Sequence, residues 1–92
     1  MSCSIYKVNK KTDGYGFELE LSNPLLSISH TKNHILNLLH ITEQVGEGDK
    51  LIILYKKDIV KAISFYKSMI ELQFLLDSIG DNKFEFYYID GV

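Results

Sequence analysis

The sequence predicts an α+β fold: a single two-layer domain over residues 1–92, with a four-stranded, mainly antiparallel sheet and two helices in the order β-β-α-β-α-β. Three observations predict it. Apolar and polar residues alternate over 15–22 and again over 83–89, the period of a half-buried strand. Apolar residues recur at helical spacings over 31–45 and crowd the stretch 58–79, as in helices laid on a core. Glycine punctuates the gaps, at Asp13-Gly14, at Gly46 and at Gly80.

Residues 4–9 are rich in β-branched and aromatic side chains and form the first strand. Asp13-Gly14 turns the chain into a second strand, placing Tyr15, Phe17, Leu19 and Leu21 on one face and Glu18 and Glu20 on the other. Asn23-Pro24 breaks that strand, and 25–29 fits either an extended segment or the start of a helix. The first helix runs from Thr31 through Ile35, Leu38, Leu39 and Val45, with Gly46 as its stop. Residues 51–55 (Leu-Ile-Ile-Leu-Tyr) are apolar on both faces, which places this strand near the sheet centre. Asp58 is a candidate N-cap for a second helix that continues to about Ile79. Its apolar arc is wider than one sheet face covers, so a second element packs on it or part of it forms an interface. In the last strand Phe84, Phe86 and Tyr88 alternate with Lys83, Glu85, Tyr87 and Ile89. The aromatics are expected on the core side.

A chain of this length buries only roughly 60–65% of its unfolded surface, which leaves little room for a deep active site beside the core. Cys3 is the sole cysteine, so no internal disulfide forms, as expected of a cytoplasmic protein. The N-terminal residues lack the pattern of a signal peptide, and no apolar run approaches the length of a membrane span. The net charge is −2, and all 10 basic residues are lysine. Without arginine the chain lacks the planar fork that reads guanine and clamps phosphate, so direct nucleic-acid binding is not expected. Charge falls in blocks: 1–12 basic, 13–49 acidic, 50–67 basic, 68–92 acidic. Such blocks can leave patches of opposite sign on the folded surface.

No nucleophile elbow, phosphate-binding loop or zinc-protease motif is present. Gly14-Tyr15-Gly16 opens like a dinucleotide fingerprint but lacks the third glycine and the following helix. His30 and His34, four apart, could share a helix face, but two histidines without further ligands do not make a metal site; no metal or other cofactor is expected. Cys3 has no identifiable base beside it and reads as an inert thiol. Glu18, Glu20 and Glu85 fall opposite the strand aromatics, so they are expected to form an acidic patch on an exposed sheet face, with Tyr87 as an anchor.

These features describe a small non-enzymatic protein-binding module. The profile is that of an immunity- or antitoxin-type inhibitor that masks a basic partner protein with an acidic surface. The alternative is a structural or homo-oligomeric subunit, for example a homodimer, using the apolar second helix or an edge strand.

Overall fold

A computed structural model describes residues 2–12, 16–19, 24–29, 33–45 and 51–91, with the backbone alone at 2, 9–12, 16–19, 29 and 33. The described chain forms β1 (Ser2–Thr12), β2 (Gly16–Leu19), β3 (Leu26–Ser29), α1 (Asn33–Leu38), α2 (Ile41–Gln44), β4 (Leu51–Tyr55), α3 (Lys56–Phe65), α4 (Ile70–Ile79) and β5 (Phe84–Asp90). The predicted four-stranded antiparallel sheet is present, in the spatial order β2-β1-β5-β4. The predicted turn at Asp13-Gly14 and the loop from Gly46 to Asp49 lie outside the described residues.

β3 joins this sheet as a short addition. β1 is long enough to serve three partners: Ser2–Ile5 pair with β3, Ser4–Lys7 with β5, and Val8–Thr12 with β2, all antiparallel. The segment 25–29, ambiguous in sequence, is thus extended from Leu26. Leu26 and Ile28 point into the core opposite Ile5 and Cys3. The register between β1 and β2 shifts between Val8 and Lys10, the signature of a bulge or other irregularity.

The core lies between one sheet face and the helices. Cys3, Ile5, Ile52, Leu54, Tyr87 and Ile89 enter from the sheet, and Ile35, Leu39, Ile59, Leu72, Leu75 and Ile79 from the helices. Burying each of these larger apolar side chains contributes about 1.5–3 kcal/mol before entropy is counted.

Both predicted helices are divided. The first breaks at His40, whose φ of 57° and ψ of 25° are left-handed. Polar residues with short side chains tolerate that region better than β-branched ones, and histidine is among the enriched types. The second breaks after Phe65. Tyr66 leaves helical geometry at φ −125° and ψ 59°, and α4 begins at Ile70. A straight helix of that length would carry much of its apolar arc past the sheet. Broken and folded back, it lays Ile59 and Ala62 of α3 and Leu72, Leu75 and Ile79 of α4 into the same core. Tertiary burial here overrides local helix propensity.

Asp58 does not cap α3. The helix starts at Lys56, with Tyr55 at the cap position, because β4 runs into it without a loop. Asp58 sits instead in the first turn, 7% exposed, where the helix dipole favours a carboxylate.

Two lysines close the other end of α4. Lys7 Nζ donates to the Ser78 carbonyl at 2.9 Å, and Lys56 Nζ to the Gly80 carbonyl at 2.6 Å. Both satisfy carbonyls that the helix end leaves without an intrahelical donor.

The outer edge of β4 is also occupied. The Gln44 side chain donates Nε2 to the Ile53 carbonyl at 2.7 Å and accepts from the Ile53 N–H at 2.5 Å. One amide thereby takes the place of a neighbouring strand at that residue and blunts the edge for pairing.

The facing of β5 is the reverse of the sequence expectation. Ile89 pairs with Ile5, and Tyr87 with Ile52, on the helix-covered side, and both Tyr87 and Ile89 are fully enclosed. Phe84, Phe86 and Tyr88 therefore point away from the helices. Alternation separates the two sets but does not say which is inward when both are apolar. The cross-strand register decides that.

Candidate functional site

The face of the sheet opposite the helices is aromatic. Tyr6 of β1 lies beside Tyr88 of β5, ring centroids 6.4 Å apart. Farther along β5, Phe86 and Phe84 meet edge to face at 6.1 Å, and Phe84 continues to Tyr55 of β4 at 6.0 Å. Ile53, opposite Phe86, fills the strip on the β4 side. Tyr6, Ile53, Phe86 and Tyr88 are half-buried, while Tyr55 and Phe84 are 43% and 48% exposed. The buried apolar residues of the helices belong to the core cluster that Tyr87 and Ile89 enter, on the opposite side of β5 from Phe84, Phe86 and Tyr88.

At its Tyr55 end the strip opens into a concave groove of about 730 Å³, where β4 turns into α3. Tyr55, Val60 and Phe84 supply apolar walls, and Lys57, Lys83 and Asp81 stand at its border. The Lys57 ammonium lies 5.9 Å from the Tyr55 ring centroid, within cation–π range.

Of the residues expected to form an acidic contact, only Glu85 and Tyr87 have described side chains. Tyr87 is in the core, with its hydroxyl donating to Ser78 Oγ at 3.4 Å. Burial pushes its ionisation above the usual tyrosine value; the Ser78 hydroxyl offsets this in part, and the charge of Glu85 adds to it. Glu85 is half-buried at the start of β5, accepting from Asn82 Nδ2 at 3.2 Å. The backbone of Glu18 pairs with Lys10 across β1 and β2, and Glu20 lies outside the described residues.

The two described histidines, His34 and His40, make contacts within the fold. His30 lies outside the described residues. His34 shares a hydrogen bond with the Tyr66 hydroxyl at 2.8 Å and packs against the Phe65 ring. His40 stands between two carboxylates, Nδ1 at 3.5 Å from Glu43 and Nε2 at 3.7 Å from Asp58. Among the described residues no group of three or more histidine, cysteine, aspartate or glutamate side chains could hold a metal ion. Cys3 is buried, which raises its thiol pKa above the usual value against the opposing effect of backbone hydrogen bonds. A thiol so placed is a poor nucleophile.

Sequence reasoning missed Tyr55, Phe84 and Tyr88 as residues of the outward sheet face. The signal was present in β5, where both alternating sets are largely apolar. A strand of that kind is covered on both faces or binds something with one of them.

No known protein family, curated protein or solved structure matches this chain. Among the described residues no helix is long and apolar enough to cross a membrane.

Proposed function

We propose that this chain is a non-enzymatic protein-binding module that acts by covering a partner protein, in the manner of immunity and antitoxin proteins. The observation that carries this reading is the aromatic strip from Tyr6 and Tyr88 to Phe84 and Tyr55 on the face away from the helices. Tyrosine and phenylalanine are enriched in interface cores because they bury large area at little cost in side-chain entropy. A contiguous apolar patch on a small protein marks a contact site. Tyr88 takes the anchoring role that the sequence assigned to Tyr87. The basic character of the partner rests on the acidic blocks of the sequence, and cytoplasmic placement on the lone, free Cys3.

Retention of a partner from native cell extract tests this when three immobilised baits are compared. The wild-type chain and a Phe74→Lys control on α4 are expected to retain the same stoichiometric protein. Tyr88→Ala is expected to lose it while keeping a native circular dichroism spectrum. Retention by Tyr88→Ala with loss by Phe74→Lys would refute the sheet-face reading.

A second reading has its own observation. Phe65, Ile70 and Phe74, at the junction of α3 and α4, are 61%, 63% and 48% exposed. That apolar helix surface suits a homo-oligomer better than the β4 edge does, since Gln44 occupies that edge at Ile53.

A further inference from the structure

We propose that the groove at the β4–α3 junction takes an acidic segment of the partner, with one aromatic or large aliphatic side chain seated between Tyr55, Val60 and Phe84 and its neighbouring carboxylates on Lys57 and Lys83. The inference rests on the protein-binding reading above and deepens it by naming the chemistry of the bound segment.

Three observations carry it. The first is shape. Tyr55, Val60 and Phe84 are each close to half exposed, yet they converge on one concavity of about 730 Å³ and are not scattered singly. That volume holds a bulky side chain together with the backbone on either side of it. The second is continuity. Phe84 is in ring contact with both Tyr55 and Phe86, so the groove is the open end of the aromatic strip.

The third is charge. Two lysines of the basic block 50–67, Lys56 and Lys57 at the start of α3, line this groove, and Lys83 arrives from the turn before β5. Lys56 is committed to the Gly80 carbonyl. Among the described residues neither Lys57 nor Lys83 forms an ion pair with a carboxylate, so both keep their charge for a ligand. Lys61, one turn beyond Lys57 on the exposed side of α3, extends the positive edge. Asp81 is the opposing charge on the border, and it is outnumbered. An acidic segment meets this potential favourably, whereas a basic one meets like charge. Locally, then, the groove selects the sign opposite to the one the acidic blocks suggest for the partner as a whole.

The test uses fluorescence anisotropy with the intact chain and short synthetic peptides. One carries a single phenylalanine among glutamates, a second has lysines for the glutamates, and a third has alanine for the phenylalanine. The first is expected to bind, more weakly as salt is raised. The other two are expected to bind at least about tenfold more weakly, and Lys57→Glu with Lys83→Glu to lower the affinity of the first about tenfold, as two exposed pairs are reversed. Val60→Asp gives the same loss through the apolar wall. Equal or tighter binding of the lysine peptide overturns the proposal. So does insensitivity to the double charge reversal, or to loss of the phenylalanine. A dimer in light scattering that Val60→Asp dissociates would assign the groove to a second copy of the chain and also overturn it. Failure here with Tyr88-dependent retention of a partner intact would leave the protein-binding reading standing without the acidic segment.

Discussion

Tyr87 fills the centre of the sheet's inner face, and its phenol titrates differently when folded. Enclosure raises its pKa above the ordinary value of about 10, because the phenolate would lose its water. The folded state therefore holds the proton more tightly than the unfolded state. The resulting stability is fully present below about pH 10 and is lost as pH rises through the folded pKa. Denaturant titrations are expected to show a smaller alkaline loss in Tyr87→Phe than in the wild type between about pH 9 and about pH 11. Near neutral pH the substitution is expected to cost about 1 kcal/mol or less, since it removes one long hydrogen bond to Ser78. An unchanged alkaline slope would assign that titration to another group. The identity of this residue was plain in the sequence, but its direction was not. Tyr87 and Tyr88 are adjacent and chemically alike, and only the pairing of Tyr88 with Tyr6 and of Tyr87 with Ile52 tells them apart.

At the scale of elements, the two ends of α4 contrast in how readable they were. Its C-terminus is marked by Gly80, which adopts φ 58° and ψ −128°, a region open to glycine and strained for other residues. Apart from its chain neighbours, no atom of the described residues lies within 4 Å of where a β-carbon would sit, so the cost of Gly80→Ala comes from the backbone. That substitution is expected to lower stability by about 1–3 kcal/mol, read as a lower urea midpoint at an unchanged slope. An unchanged midpoint would mean that the turn relaxes into an ordinary conformation. The N-terminus of α4 carries no such mark. Nothing between Asp58 and Ile79 is glycine or proline, and the break at Tyr66 follows from packing both halves against one sheet. His40 makes the same point for the first helix. Its left-handed backbone redirects the chain so that Ile41 joins the core and Gln44 reaches β4.

For the whole molecule, the sheet bears apolar groups on two sides and the helix pair adds a third apolar surface at Phe65, Ile70 and Phe74. If that surface joins copies of the chain, light scattering at high micromolar concentration is expected to give a dimer that Ile70→Glu reduces to a monomer. A wild-type monomer under the same conditions removes the self-assembly reading and leaves the aromatic face and its groove as the contact. By itself the sequence determined the α+β class, the four principal strands and their approximate places, because period-two and helical spacing are local properties of the chain. It also determined the charge blocks and the absence of arginine, since these are matters of composition. Only the tertiary structure decided which side of β5 is inward, where the long helices break, and that Lys57 and Lys83 border the same groove as Tyr55 and Phe84. Those outcomes depend on strand register and on burying one shared core, and both arise from contacts between residues far apart in the chain.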